Sequence, residues 1–414
     1  IAALRASKRL PSWPVGYAVT EPEKCGNDDE RVRNVIQWAV DNGAWIHPNV
    51  STGMFDVPGK KGLQIRGVLA TGHVAEKEKI FIVPKHLLLN IEKLRDHRWL
   101  GPIYADTPQL HDSIGGLAVL LLAEALNATS EFRPYLCSLP TLVPLPVFYS
   151  PGKLERVKLD LPPGEQGVID SLVEARRDVI QLHYMKVMPA LFLKYPRLFS
   201  PADFSYERWA WAVSLIMSRT WGRQIADPLL IKKTGGNTSM AHTMAPAADM
   251  PNHNASAYEA MQDKSGRLVL LADRNVTNGE QIYISYGSKC NAEFLAHYGF
   301  IPSYPSVKAC KSNATLRSSP KDSNVTKWRR GFRQKFQTFI SIVNDQRFRN
   351  SRAYLAMQSA ASNPGIPHHL AADDSDSDDG PALVNSAVAP ATGQRYHSST
   401  QSLRLSKSDP AAAG

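Results

Sequence analysis

The sequence predicts an α+β protein in which a helical lobe is inserted between two β-rich blocks. The first block holds the short β-like pieces IRGVLAT and IFIVP, and the second holds RLVLLAD and QIYISYG. Between them, from Ser113 to about Trp221, the apolar spacing is helical and is broken by proline-rich loops such as LPTLVPLPVFYSP. Short strands on both sides of a long helical run are typical of one α+β domain with an inserted lobe.

Composition predicts a folded chain without a membrane span. The 414 residues are 43% apolar and 21% charged, close to globular averages. The longest apolar run, Leu117 to Leu126, is too short to cross a bilayer and contains Glu124, so we expect a core helix. The net charge of +10 is compatible with acidic partners or nucleic acid, although a solvated basic surface is the simpler interpretation.

The four cysteines are predicted to be buried or incidental thiols in a reduced, intracellular compartment. Cys25, Cys137, Cys290 and Cys310 form no C-x-x-C pair, which argues against a zinc knuckle or a thioredoxin-like site. The chain begins at Ile1 rather than Met, so the sequence does not decide whether a targeting segment precedes it. Plastid, cytoplasm and nucleus are therefore not distinguished.

Local signals place the individual elements. An apolar helical pattern starts near Val32 and ends at Asn42-Gly43, a helix C-cap signal. The first pair of strands is separated by the polar turn AEKEK, and the second pair by a turn at Thr277-Asn278-Gly279. The segment NAEFLAHYGF then predicts a final helix.

A basic amphipathic helix and a disordered tail are predicted to follow. From Trp328 to about Ala361, Lys and Arg surround an apolar face, and beyond it DDSDSDDG opens a Ser/Ala/Pro-rich tail that cannot bury a core. Nucleic-acid binding by Arg329, Arg330, Arg333 and Lys335 is one interpretation, but a helix packed on the domain is favoured because aromatics lie on the apolar side. The apolar face consists of Trp328, Phe332, Phe336, Phe339, Ile340 and Val343.

Several enzyme classes are excluded by their missing motifs. The sequence has no G-x-x-x-x-G-K-[ST], no H-E-x-x-H, no G-x-S-x-G and no glycine-rich dinucleotide turn after a strand. The candidate functional side chains instead lie in the second β-rich block. There Asn252 and His253 follow a proline, and Tyr286 ends an alternating strand and meets a glycine.

These motifs together resemble the SET domain of the Rubisco large-subunit methyltransferase-like family, which includes an actin histidine methyltransferase. The order N-H, G-E-x-x-x-x-x-Y-G, N-A-E and Y-G-F carries the resemblance. It extends to IRGVLATGHVAEKEKIFIVPKHLLL, LAVLLLAEALNATSEFRPYLCSLP and YERWAWAVSLIMSRTWG, and thus from about Val32 to Pro302. The resemblance implies small β-sheets with a knot-like C-terminal segment, S-adenosylmethionine as cofactor, and methylation of a protein nitrogen.

The resemblance also implies roles for individual residues. Arg219, beside Ser218, would pair with the cofactor carboxylate. Asn252 and His253 would meet its amino-acid and adenine portions. The remaining implied cofactor residues are Gln64, Arg66, Gly67, Tyr298 and Phe300, and the implied substrate-channel residues are Trp221, Asp249 and Tyr258.

Tyr286 matches the family's active-site tyrosine. A lysine amine must be neutral to attack, and at its reference pKa of about 10.4 this costs roughly 4 kcal/mol near pH 7.4. Burial and an adjacent sulfonium charge lower that pKa, while a tyrosine hydroxyl aligns the in-line transfer. The predicted role of Tyr286 is therefore positioning rather than strong base catalysis.

Lysine methylation is the leading functional prediction, and two alternatives remain. Histidine is the first, because its reference pKa of about 6.5 demands far less deprotonation. A non-catalytic SET-fold adaptor is the second, because Ile65-Arg66-Gly67 stands where the family commonly has Gly-x-Gly, and a side chain there is expected to crowd the cofactor.

The expected partner is a protein substrate, and we expect no nucleic acid, no membrane, no metal and a monomeric state.

The predicted organisation has six parts. The parts are an N-terminal helical extension (1–60), the first SET part (61–104), an inserted helical lobe (105–240), the second SET part (241–302), a C-terminal helical region (303–361) and a disordered tail (362–414).

Overall fold

A computed structural model describes residues 19–57, 61–234, 238–302, 310, 334–338, 340 and 341. Helices and short strands alternate along this part of the chain. The helices are α1 (Asp28–Asp41), α2 (Ile91–Asp96), α3 (Leu100–Asp106), α4 (Ser113–Leu126), α5 (Arg133–Ser138), α6 (Pro151–Lys158), α7 (Pro163–Lys194), α8 (Tyr206–Arg219), α9 (Pro228–Thr234) and α10 (Asn291–Tyr298). The strands are β1 (Trp45–Ile46), β2 (Val50–Asp56), β3 (Gln64–Ala70), β4 (Lys79–Val83), β5 (Trp221–Ile225), β6 (Ser239–Thr243), β7 (Asn252–His253), β8 (Met261–Gln262), β9 (Leu268–Leu271) and β10 (Gln281–Ile284).

Both sheets combine strands from the two β-rich blocks. One sheet has the order β1-β4-β9-β8 and the other β2-β3-β10-β7, while β5 and β6 form a separate hairpin. Strand β10 pairs antiparallel with β3 and parallel with β7, so it lies between the first block and the Asn252-His253 segment. The sheets therefore bring together residues that the helical insertion separates in sequence, and the predicted α+β architecture is confirmed.

Capping residues fix where the helices begin. The side chain of Asn27 accepts a hydrogen bond from the N–H of Glu30, whose carboxylate accepts one from the N–H of Asn27, a capping box for α1. Asp112 caps α4 in a related way by accepting from Ile114 and Gly115. The predicted helix over Val32 to Asn42 is confirmed, and its acidic first turn suits the positive end of the helix dipole.

The inserted lobe carries the largest apolar core. Helix α4 is buried over almost its whole length, as its uniform apolar sequence predicts. Trp209 and Trp211 of α8 are fully buried beside it, and their indole N–H groups donate to the carbonyl oxygens of Ile180 and Pro140. Burying these large side chains fixes α8 and therefore the position of Arg219 at its C-terminal end.

Two segments contain strands where helix was predicted. The N-terminal extension contains β1 and β2 as well as α1, and β2 pairs with β3 along its full length, from Val50↔Ala70 to Asp56↔Gln64. The insertion contains the hairpin β5–β6. The proposed domain boundaries themselves stay predictions.

The expectation of free thiols is wrong. Cys25 is bonded to Cys137 and Cys290 to Cys310, so all four cysteines are paired. The partners are 112 and 20 residues apart, and nothing in the local sequence around one cysteine indicates its partner. The first disulfide joins the segment before α1 to α5, and the second joins the start of α10 to Cys310.

Most of the predicted C-terminal helix and the whole predicted tail lie outside the described residues, including Arg329, Arg330 and Arg333. Residues 334–338 are helical, and Phe336 is 2% exposed with its ring 4.9 Å from that of Tyr206. Lys335 is exposed. This pattern agrees with a helix that packs its apolar face on the lobe. Of the helices in the described ranges, none combines the length and apolar character that a membrane crossing requires.

Candidate active site

A cavity of about 240 Å³ lies at the C-terminal ends of α8 and β10 and at the start of β5, next to α10. Glu259 and Lys289, which the sequence analysis did not single out, lie at its wall. Six residues predicted from the sequence also line it: Ser218, Arg219, Trp221, Asp249, Tyr286 and Tyr298.

Tyr286 is held in place from two directions. Its hydroxyl donates a hydrogen bond to the carbonyl oxygen of Pro251 at 2.9 Å, and its backbone N–H donates to Nδ1 of His253 at 3.0 Å. Gly287 follows with φ of 86°, a conformation that favours glycine, which explains the Tyr-Gly pair. Burial raises the pKa of Tyr286 above its usual value, although nearby Arg219 acts in the opposite direction. The phenol is therefore neutral near pH 7.

The Asn-His segment connects the two β-rich blocks. Asn252 and His253 form β7, in parallel register with Tyr283 and Ile284 of β10. The side-chain Nδ2 of Asn252 donates to the carbonyl oxygen of Arg66 at 2.9 Å, across 186 residues of sequence. The predicted proximity of these segments is present in the fold.

Aromatic rings surround His253. Its ring is stacked 4.5 Å from Phe294 and 5.1 Å from Tyr286, and Phe300 lies 6.4 Å away. The ring of Tyr298 lies 4.8 Å from that of Tyr286. Burial lowers the pKa of His253 to about 4, so the imidazole is neutral near pH 7. The final Tyr-Gly-Phe segment is thus placed beside the Asn-His segment, as the sequence predicted.

Arg219 and Asp249 contact each other. Arg219 Nη1 lies 3.1 Å from Asp249 Oδ2, and the Tyr135 hydroxyl donates to the same oxygen at 2.9 Å. Burial lowers the pKa of Arg219, but the carboxylate of Asp249 outweighs it and the net shift is upward. The Asp249 side chain is only 3% exposed. The Asp249 carboxylate was predicted to face the substrate, and the Arg219 guanidinium was predicted to face the cofactor. In the structure the two groups form an ion pair with each other.

The opening strand contacts the site through its backbone. The Arg66 side chain extends to Asp28 and Asp29 of α1, whose carboxylates accept hydrogen bonds from it. Gln64 donates to Asp56 on the neighbouring strand and is exposed. A Cβ on Gly67 would lie 2.2 Å from Nε2 of Gln281, so any other residue there would displace that side-chain amide. These three predicted residues do not line the cavity.

Tyr258 is placed away from the cavity. Its hydroxyl donates to Oε1 of Glu76 at 3.0 Å, while the next residue, Glu259, lies at the cavity wall. Lys289, three residues after Tyr286, donates to the carbonyl oxygen of Tyr286. The short spacing to Tyr286 was the available sequence signal for Lys289.

This arrangement defines a class of protein. A tyrosine that follows a strand and the C-terminal end of a helix line a small cavity, and an Asn-His segment packs against that tyrosine. This is the arrangement expected of a SET domain. The model of the SET domain family matches residues 65–287, more than half of the chain. The chain belongs to the SET domain family.

Curated relatives are similar over about two thirds of this chain. Actin-histidine N-methyltransferase of Gallus gallus is 28% identical over 280 residues, which is 66% of this chain and 43% of that protein. The protein of the same name from Homo sapiens is 27% identical over 278 residues, with the same coverage. The chain spans less than half the length of the curated relatives it matches.

Solved structures agree with the fold. The SET domain of LSMT bound to lysine and AdoHcy superposes with a TM-score of 0.52 at 21% identity, covering 67% of this chain and 58% of that one. Rubisco LSMT bound to AdoMet gives a TM-score of 0.51 at 21% identity, covering 66% and 57%. The predicted resemblance to this family is confirmed.

Proposed function

We propose that this chain is an S-adenosylmethionine-dependent methyltransferase that modifies a side-chain nitrogen of another protein. The observation that carries the proposal is the convergence of Tyr286, Arg219 and Trp221 on one cavity within a SET domain. Arg219 and Trp221 come from the junction of α8 and β5, whereas Tyr286 follows β10, so the fold brings two distant segments of the chain together at this cavity. The curated relatives and the solved structures, through their names and bound molecules, support the same class of reaction.

The residues present fit the proposed cofactor. A Cβ on Gly67 would meet Nε2 of Gln281, and this nitrogen is buried without a hydrogen-bond partner among the described residues, so a polar donor is available beside the Gly67 backbone. Arg219 offers a guanidinium for a carboxylate, and the rings around His253 offer faces for an adenine. When bound, S-adenosylmethionine supplies an electrophilic methyl group on a sulfonium.

Tyr286 contributes orientation rather than proton abstraction. Its hydroxyl donates to the carbonyl oxygen of Pro251, and its raised pKa keeps it protonated. A phenol held in this way presents its oxygen lone pairs toward neighbouring polarised groups at no further cost in ordering. The buried wall formed with Tyr298 also excludes water from one side of the cavity.

The cavity geometry favours lysine as the acceptor. Trp221, Tyr286 and Tyr298 give it aromatic walls, which suit an alkyl stem and an ammonium or methylammonium group through cation–π contacts. Glu259 adds a carboxylate at the wall. Arg219 and Lys289, also at the wall, are offset by Asp249 and Glu259, so the charge expected to lower the pKa of an amine placed there is the sulfonium of the bound cofactor. This supports formation of the neutral amine that attacks.

Histidine is the second candidate, and a different observation favours it. The curated relatives carry the name actin-histidine N-methyltransferase at 27–28% identity. An imidazole is largely neutral near pH 7.4 and needs no assistance with deprotonation. A monomeric state, an intracellular location and a lack of nucleic-acid partners stay predictions from the sequence.

The experiment that tests the proposal combines binding with product analysis. Calorimetry with S-adenosylmethionine and S-adenosylhomocysteine tests cofactor binding, and incubation of the chain with labelled cofactor and cell extract, or with purified actin, identifies a modified protein. Mass spectrometry of the modified peptide separates the acceptors, because only lysine reaches a trimethylated state. A chain that binds neither compound would instead be a non-catalytic SET-fold adaptor.

A further inference from the structure

The side chain of Arg66 joins the opening strand to the N-terminal helix. Its Nη2 donates to Oδ2 of Asp28 and to Oδ1 of Asp29, both at 2.8 Å, and the side chain is only 21% exposed. Two carboxylates share one guanidinium, so both contacts are charge-assisted. Both aspartates lie in the first turn of α1, where the helix dipole also favours acidic side chains.

The backbone of the same residue contacts the Asn-His segment. The carbonyl oxygen of Arg66 accepts the hydrogen bond from Asn252, and a Cβ on Gly67 would lie 2.8 Å from Nδ2 of Asn252, so any side chain there would displace this amide. Residues 66 and 67 are therefore packed against the second β-rich block on one side and tied to α1 on the other. A shift of a few tenths of an ångström would lengthen the Asn252 bond.

Helix α1 is itself anchored to the helical lobe. The Cys25–Cys137 disulfide lies just before it, and the ring of Trp38 is 5.6 Å from that of Phe132 in an edge-on contact. Arg133 further donates to the carbonyl oxygen of Thr20. The ion pair of Arg66 therefore connects β3 to a fixed element rather than to a free end of the chain.

We infer that Arg66 is a positioning residue for the cofactor site, in which the ion pairs to Asp28 and Asp29 hold the backbone of residues 66 and 67 against Asn252. This inference rests on the proposed function. It assigns α1 a role in cofactor affinity although none of the helix lines the cavity. It also explains how a side chain is accommodated where the family commonly has Gly-x-Gly.

The test compares variants of the full chain by calorimetry with S-adenosylmethionine and S-adenosylhomocysteine. Arg66→Met is expected to weaken both affinities about tenfold, whereas kcat at saturating cofactor stays within about twofold. Asp28→Asn/Asp29→Asn, which keeps Arg66, is expected to give the same loss. Arg66→Lys should recover part of it, because it keeps the charge but not the planar fork. Arg33→Met, on an exposed position of α1, is the matched control and should bind as the unaltered chain does.

A second measurement does not require a bound cofactor. Amide hydrogen exchange of residues 64–70 in the free chain should be faster in Arg66→Met and in the double aspartate variant, and unchanged in Arg33→Met. Unaltered affinity and exchange in the double aspartate variant would overturn the inference, even if Arg66→Met failed to fold. Failure of the unaltered chain to bind either S-adenosylmethionine or S-adenosylhomocysteine would overturn the proposed function as well, so the two failures are distinguishable.

Discussion

The phenol of Tyr286 donates a hydrogen bond to the carbonyl oxygen of Pro251 at 2.9 Å, across 35 residues of sequence. This bond fixes the hydroxyl at the cavity beside the Asn-His segment. It also explains how a neutral tyrosine is oriented without a charged partner, since burial keeps its pKa high.

Tyr286→Phe is expected to reduce methyl transfer by about 10²-fold, the size observed when one group that contacts a transition state is removed. The free energy of unfolding should fall by only about 1 kcal/mol, the contribution of one hydrogen bond. Single-turnover assays and urea unfolding measure the two effects. Equal activity of the variant and the unaltered chain would remove Tyr286 from the mechanism.

The Arg219–Asp249 pair should behave as a coupled unit. Asp249→Ala is expected to lower the free energy of unfolding by about 2 kcal/mol, because it removes a buried carboxylate that accepts hydrogen bonds from the half-buried Arg219 guanidinium and from the Tyr135 hydroxyl. Arg219→Met/Asp249→Ala should cost less than the sum of the two single changes. A double-mutant cycle in urea measures the coupling, and strict additivity would show that the contact does not stabilise the fold.

Glu259→Gln is expected to lower kcat/KM for a lysine-containing peptide roughly fivefold, because a carboxylate that attracts the cationic side chain is lost. The loss should shrink at high ionic strength. Glu23→Gln, an exposed carboxylate on another element, serves as the control and should leave kcat/KM unchanged. An equal effect of both changes would argue against a specific role for Glu259.

Burial of neutral His253 predicts a pH-dependent stability. Its pKa is about 4 in the folded chain, against about 6.5 for an unperturbed histidine. Between these values the unfolded chain binds a proton that the folded chain does not, so the free energy of unfolding falls as the pH drops from 6.5 to 4, by up to about 1.4 kcal/mol per pH unit.

Urea unfolding across this range compares the unaltered chain with His253→Leu, in which the contribution should be missing. His297, whose pKa burial lowers to about 3, acts in the same direction and is retained in both proteins. Identical pH slopes for the two chains would contradict the prediction.

The Cys25–Cys137 disulfide closes a longer loop than Cys290–Cys310, 112 against 20 residues. On the chain-entropy model, Cys25→Ser/Cys137→Ser should therefore lose more stability, about 4–5 kcal/mol against about 3 kcal/mol for Cys290→Ser/Cys310→Ser. Non-reducing peptide mapping checks the pairing, and urea unfolding with and without reductant checks the order. Detection of four free thiols in the purified chain would contradict both bonds.

The sequence by itself determined the order of the elements and the motifs that identify the site. The apolar spacing of α4, the cap at Asn42 and the alternating strand before Tyr286 are encoded within a few neighbouring residues, so local patterns reveal them. The N-H and Y-G motifs were likewise readable, because their residue types are constrained by local geometry such as the positive φ of Gly287.

Only the tertiary structure decided which residues contact each other. The partner of Asp249 is Arg219, thirty positions away. The side chain of Arg66, which was predicted to lie at the cofactor, pairs with Asp28 of α1. Tyr258, which the family resemblance placed at the substrate channel, contacts Glu76 instead, and its neighbour Glu259 lies at the cavity wall. Strand register, helix packing and disulfide pairing arise from contacts across tens to hundreds of residues, and no local pattern contains them.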